Sequence, residues 1–211
     1  MLPTPSYRLT DQQKESVYDP AEDSFLLMDA IESELEVIKS SSPLIALEIG
    51  IGSGVISAFL AKSLPSVSLL SLGTDVNRDA CEAATTTARK NGVRVEVVRC
   101  DLASAFLSRL AESIDILLFN PPYVPTDEME VDASDLSRCW AGGARGISTL
   151  QRLLPQVTEL LRIGGLFYVV ALKENGIDQL LKHNERLRGS IVMERRAGIE
   201  YLYILKFERI L

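Results

Sequence analysis

Asn120-Pro121-Pro122-Tyr123 bring together a side-chain amide, a backbone carbonyl flanked by proline and an aromatic ring. That set suits chemistry on a planar nitrogen. An amide or aryl amine is a poor nucleophile because its lone pair is delocalised. If the Asn120 carbonyl oxygen and a main-chain carbonyl accept its two N–H hydrogens, the lone pair turns toward an electrophile and the developing positive charge is favoured. Tyr123 is expected to stack on the planar group. No strong base is needed, which fits a chain whose single histidine, His183, lies in the polar stretch LLKHNERL and is expected to face solvent. The plainer reading of Asn-Pro-Pro is a stiff turn that ends a strand. What stands beside it decides between the two.

Gly50, Gly52 and Gly54, in LEIGIGSGVISAFLA, follow one apolar run and open a helical one. Glycines there permit a tight turn and close approach of a ligand, and the helix amino terminus offers unpaired N–H groups. The spacing is GxGxG, not the GxGxxG of a dinucleotide site, and Glu48 stands just before the turn. A carboxylate there repels a pyrophosphate but suits the ammonium and sulfonium charges of S-adenosylmethionine. Asp75, in SLGTDVN after the second apolar run, is placed to accept both ribose hydroxyls of an adenosine. Asp101, in RCDLA, ends the third. Each acid alone reads equally well as a helix cap. Together they stand where successive parallel strands end, at the crevice in which open α/β sheets bind ligands.

Strand-like runs fall at 44–49, 67–72, 93–99, 114–119 and 166–172, and segments of helical spacing at 55–64, 78–90, 105–112 and 147–163. This alternation predicts an α/β fold: a mostly parallel sheet with right-handed crossovers and helices on both faces. A helix at 24–37 precedes it. A helix near 176–188 and two runs at 191–196 and 201–207, separated by AGIE, follow it and predict a closing antiparallel hairpin.

The chain has 211 residues, 46% hydrophobic and 24% charged, which fits one folded domain. Lys+Arg 22 against Asp+Glu 29 gives −7, without the basic footprint expected of a nucleic-acid binder. The longest apolar run, 166–172, is far short of the roughly 18 residues of a membrane span. With no secretory signal pattern at the amino terminus, the expectation is a cytoplasmic protein, with nuclear presence left open. Cys81, Cys100 and Cys139 are too few and too scattered for a disulfide framework or a zinc site, so no metal is expected.

The NPPY tetrapeptide with the GxGxG strand resembles class I S-adenosylmethionine-dependent methyltransferases that modify planar nitrogens, and more specifically the eukaryotic and archaeal HemK-like protein glutamine methyltransferases. The resemblance runs from VYDPAEDSFLLMDAIE (17–32) through LLFNPPYVPT to WAGGARGISTLQRLLP (140–155) and LFYVVALKEN (166–175). It implies a Rossmann-like, seven-stranded sheet of order 3-2-1-4-5-7-6, with residues 1–43 covering the cofactor and 44–211 forming the methyltransferase core. It implies S-adenosylmethionine held by Ser24, Glu48, Gly50, Asp75, Asp101, Leu102 and Asn120, and a substrate site at Asn120, Pro121, Pro122 and Tyr123, with catalytic roles for Asn120, Pro121 and Tyr123. Ile51, where relatives often have Ser, and the short segment before Tyr18 depart from the pattern. The implied substrate is the glutamine of the Gly-Gly-Gln motif of the class I release factor. The implied partner is a small zinc-binding activator subunit, with the edge run 93–98 as its docking strand. An adenine-N6 methyltransferase of DNA or RNA, a lysine methyltransferase and an idle partner-binding scaffold stay open as alternatives. The acidic stretch 127–137 reads as a solvated loop or as a face for a basic partner.

Overall fold

A computed structural model describes residues 2–127, 136 and 139–211. In chain order the elements are α1 (Glu22–Ser33), α2 (Leu35–Ser40), β1 (Ile45–Ile49), α3 (Val55–Ser63), β2 (Leu70–Asp75), α4 (Arg78–Lys90), β3 (Glu96–Arg99), β4 (Ile114–Phe119), α5 (Ser148–Leu160), β5 (Leu161–Leu172), α6 (Ile177–Leu181), β6 (Leu187–Ala197) and β7 (Glu200–Arg209). The seven strands form one sheet of order β3-β2-β1-β4-β5-β7-β6. Pairing is parallel from β3 to β5 and antiparallel for β5–β7 and β7–β6. This is the expected Rossmann-like order with its closing hairpin.

Every residue of β4 is buried, because the strand lies mid-sheet with helices on both faces. The period-two alternation divides it. Ile116 and Leu118 join Leu27 and Ile31 of α1 and Phe59 and Leu60 of α3. Leu117 and Phe119 join Leu153, Val157 and Leu160 of α5. A strand clamped on both sides cannot slip without moving one set of side chains into the wrong layer, so the residue that follows it, Asn120, has a fixed height above the sheet.

The lower end of the sheet is fastened by Asp115. Its Oδ2 accepts the backbone N–H groups of Leu44 (2.9 Å) and Ile45 (2.8 Å), its Oδ1 accepts from Arg162, and Arg162 donates to the Ser41 carbonyl. One carboxylate thus joins the entry of β1, the start of β4 and the bulged start of β5.

Several elements differ from the pattern expected of the sequence. β2 begins at residue 70 rather than 67. Val67 and Leu69 are apolar because they pack on the core layer shared with α1 and α3, while their backbone makes a turn through Val67 N–H to Leu64 carbonyl (3.0 Å). The expected helix at 105–112 is a succession of turns. Hydrogen bonds alternate between three- and four-residue spacing, and Leu102 and Glu112, both left-handed, bound the segment (φ 48° and 53°). Its apolar spacing serves to seat Phe106, Leu107 and Leu110 on the core. The 24–37 helix is two helices with a break at Glu34. β3 is shortened to four residues. The 147–163 helix stops at Leu160, because Leu161 is extended and pairs with Ile114. The late helix shrinks to α6, because β6 already pairs with β7 from Leu187 onward.

Replacing Asp115 by Ala leaves the Arg162 guanidinium half-buried without its partner and strands two N–H groups. The expected loss is about 3 kcal/mol of unfolding free energy, measurable by urea denaturation. A loss below about 1 kcal/mol, the range of an exposed pair, would show that the carboxylate does not fasten the sheet.

Candidate functional site

The carboxyl ends of β1, β2 and β4 open into a cleft of about 580 Å³, walled on the far side by residues 16–24. That volume lies within the range of small-molecule sites. Gly54 caps α3 at φ 77°, and a Cβ there would sit 2.7 Å from the Ala84 Cα, so only glycine lets α3 start this close to α4.

Ser24, Glu48, Gly50, Asp75, Asp101, Leu102, Asn120, Pro121 and Pro122 all line this one cleft, although they come from five separate stretches of chain. Glu48 is 2% exposed. Its Oε2 accepts from the Ser57 backbone N–H (2.9 Å) and the Ser57 hydroxyl. Burial pushes its carboxyl up to about 8 against the pull of the Ser57 bonds, and the nearby Asp75 charge pushes the same way. A cationic group arriving beside it would favour the ionised form.

Asp75 uses one oxygen for the Gly52 N–H (3.0 Å) and the other for the Asn77 N–H (2.9 Å). A carboxylate has about four acceptor positions, so the glycine turn and the start of α4 are pinned while acceptor capacity remains for hydroxyls in the cleft. Burial raises its affinity for a proton and the backbone bonds lower it. Asp101 is paired with Arg152 of α5, both 58% exposed at the cleft rim. The next residue, Leu102, is 8% exposed and left-handed. Together they set an apolar side chain beside an ion pair at the cleft rim.

Asn120 follows β4, and its side-chain Nδ2 donates to Asp23 Oδ2 (2.9 Å) and lies 3.5 Å from Ser24 Oγ. Its Oδ1 is buried and has no partner among the described residues. Tyr123 does not do what was expected of it. Its ring is 8% exposed and packs into the core layer shared with α1 and α3 instead of lining the cleft, and its hydroxyl donates to Asp23 Oδ2 (3.0 Å). Asn120, Pro121 and Pro122 line the cleft while the Tyr123 ring lies in the core, so the fourth side chain of the motif is directed away from the cleft.

Two residues that the sequence did not single out hold this loop. Asp23, within DPAEDS, gathers the hydroxyls of Tyr18 (3.2 Å) and Tyr123 and the amide of Asn120. Asn175, at the end of the apolar run LFYVVALKEN, is 1% exposed. Its Nδ2 donates to the carbonyls of Tyr123 and Arg145 (both 3.0 Å), and its Oδ1 accepts from Leu172 N–H (2.7 Å). It ties the Asn120–Tyr123 loop to the glycine-rich segment 142–146, where Val124 bridges to Ala141. A Cβ on Gly146 would meet the Tyr123 carbonyl oxygen at 2.0 Å, which explains glycine there. Both were legible only as polar residues in otherwise apolar or patterned stretches. Most of the acidic stretch 127–137 lies outside the described residues. His183 is exposed in the turn after α6, as expected.

A sheet of this order, with a glycine turn, a ribose-height carboxylate and an amide at the end of the fourth strand, defines a class I methyltransferase. Residues 23–136 match the family described as the methyltransferase small domain. The human methyltransferase HEMK2 is 43% identical over 195 residues, covering 92% of this chain and 90% of the relative. The eRF1 methyltransferase catalytic subunit mtq2 of Schizosaccharomyces pombe is 36% identical over 231 residues, covering 100% and 97%. Among solved structures, a chain of the E. cuniculi Mtq2-Trm112 complex, described as responsible for methylation of the eRF1 translation termination factor, superposes with a TM-score of 0.68 at 29% identity, covering 92% of this chain and 99% of its own. The chain therefore belongs to the methyltransferase small domain family, in its HemK-like branch.

Glu48 makes the cleft sensitive to pH. Its folded value lies above that of an exposed carboxyl, so its contribution to stability is fully present below about pH 4.5 and is lost as pH rises through about 8. Glu48→Gln, which can still accept from Ser57, is expected to melt close to the native chain at pH 4.5 and above it by roughly 5 °C at pH 8.5. Melting curves that stay parallel across that range would contradict the assignment.

Proposed function

We propose that this chain transfers a methyl group from S-adenosylmethionine to the side-chain amide nitrogen of a glutamine in the Gly-Gly-Gln motif of a class I release factor. We propose further that it does so as the catalytic subunit of a heterodimer. The observation that carries the reading is the Asn120 amide, whose nitrogen end is tied to Asp23 while its buried oxygen end is unpartnered. An orphaned buried acceptor is costly unless a ligand satisfies it, and a carboxamide N–H does so.

The cleft fits the cofactor on its own residues. Asp75 has acceptor capacity for ribose hydroxyls, Glu48 faces the cationic portion, the rim at Asp101 and Leu102 takes the adenine, and Ser24 closes the side. Bound there, the cofactor supplies an electrophilic methyl on a sulfonium whose sulfur leaves with the bonding pair. The protein's own part is orientation. Asn120 Oδ1 and a main-chain carbonyl of the Pro121-Pro122 pair would accept the two amide hydrogens, orient the nitrogen lone pair into the cleft, and favour the positive charge that builds on the nitrogen until one of those protons is released to water. Tyr123 contributes by anchoring the loop, not by stacking. Within the 1–43 segment, residues 16–24 wall the cleft on the cofactor side.

The substrate and partner reading is supported by the relatives, whose names and structure concern eRF1 methylation and a complex with Trm112. For the partner we favour a small zinc-binding activator covering the β3 edge, where Val97 and Val98 are only half-buried. We place the protein in the cytoplasm, where release factors act, with nuclear presence also open. The adenine-N6 reading shares the tetrapeptide but lacks support from a chain of net charge −7. A lysine amine, which needs no help with a delocalised lone pair, leaves Asn120 without an evident task.

Asn120→Ala is expected to lower methyl transfer at least 100-fold while cofactor affinity changes little. Asp75→Ala should instead weaken cofactor binding by about tenfold or more, since it removes acceptors for the ribose and frees the Gly52 turn. Calorimetric titration of the cofactor beside single-turnover assays separates the two. Near-normal transfer by the Asn120 variant would overturn the mechanism.

A further inference from the structure

Asp23 stands in the first turn of α1 and is 3% exposed. Its carboxylate is a hub. Oδ1 accepts from the Ser24 backbone N–H (2.6 Å), the Ser24 hydroxyl (3.3 Å) and the Tyr18 hydroxyl (3.2 Å). Oδ2 accepts from the Tyr123 hydroxyl (3.0 Å) and Asn120 Nδ2 (2.9 Å). Among the described residues no lysine or arginine forms an ion pair with it, so donors alone, with the amino-terminal end of α1, offset its burial.

The arrangement acts on one degree of freedom. A carboxamide has a donating end and an accepting end that differ little in shape, and rotation by half a turn exchanges them. An ionised carboxylate only accepts, so Asp23 can hold only the nitrogen of Asn120. The oxygen is thereby aimed the other way, buried and unpartnered. Whatever occupies the acceptor position must then bring a hydrogen-bond donor, which a carboxamide N–H supplies and an ionised carboxylate lacks. An ionised carboxylate of the same shape would set a negative oxygen against the Asn120 oxygen, with no donor to relieve it.

We propose that Asp23 is a positioning residue that fixes the polarity of Asn120, and that this polarity selects a carboxamide over the isosteric carboxylate as methyl acceptor. The inference rests on the proposed amide-nitrogen reading and deepens it. Tyr18 and Tyr123 keep the hub in place, and their phenols are held protonated, first by burial and then by the charge of Asp23.

The test is a double-mutant cycle in the full chain with its activator partner. Wild type, Asp23→Asn, Asn120→Ala and the double variant are assayed on the release factor and on the same factor with glutamate in place of the target glutamine. An asparagine at 23 can hold either end of Asn120, so kcat on the glutamine substrate is expected to fall on the order of 100-fold with cofactor Kd nearly unchanged. In the Asn120→Ala background the same change should cost less than about twofold, because Asp23 acts through Asn120. Losses that multiply, an unchanged kcat, or wild-type transfer to the glutamate substrate at a comparable rate would each overturn the proposal. A second measurement needs no variant: in ¹⁵N-labelled wild-type protein the Asn120 side-chain NH₂ is expected to exchange with solvent at least tenfold more slowly than exposed asparagines, and equal exchange would overturn it. Failure of wild type on the release factor with transfer to an adenine oligonucleotide would sink the glutamine reading alone. The cycle is then read on adenine, whose amine also brings an N–H, and the same non-additivity decides Asp23.

Discussion

A single hydrogen bond, from the Asn120 amide nitrogen to the Asp23 carboxylate, determines which end of Asn120 is held and which is left as an unpartnered acceptor. The rest of the fold makes that bond possible. Asn120 has a fixed height because β4 is buried on both faces and cannot shift register. Asp23 has a fixed height because the buried face of α1, through Leu26, Leu27 and Ile31, packs against the same strands. Residues 97 apart in sequence therefore meet with little freedom at either end, which keeps reorganisation small when the substrate arrives.

The cofactor side is built differently. There the chain is local, strand to glycine turn to helix, and the carboxylates serve structure and binding at once. Asp75 pins the Gly52 turn and the start of α4 while keeping acceptor positions toward the cleft. Glu48 lies beneath the turn, held by Ser57, at a cost in desolvation that a cationic ligand can relieve. Asn175 supports the Asn120 side, joining the carboxyl end of β5 to the loop after β4 and to the glycine-rich segment before α5.

What could be read from the sequence follows this division. Glu48, Gly50, Asp75 and Asp101 were visible because each sits at a strand end whose position is set by local hydrophobic pattern, and parallel order brings those ends together. Asn120 was visible because its four-residue motif carries a chemical logic of its own. Asp23 and Asn175 were not, since their importance lies in partners far along the chain, and a lone Asp in a helix turn or a lone Asn after a strand reads as an ordinary cap. Tyr123 was misjudged for a related reason: a motif specifies which residues are present but not into which layer each points. The displaced start of β2 and the missing helix at 105–112 share one cause. Apolar spacing records what touches the core, and Val67, Leu69, Phe106 and Leu110 touch it from turns.

The central claim, that this site methylates a carboxamide nitrogen of a protein, is tested most directly by mass spectrometry. A class I release factor would be incubated with the chain, its activator subunit and methyl-labelled S-adenosylmethionine, and the modified residue located by fragmentation. The account predicts one labelled methyl on the glutamine of the Gly-Gly-Gln motif and none when that glutamine is replaced. Label found on a lysine, or only on nucleic acid supplied in the same reaction, would contradict it.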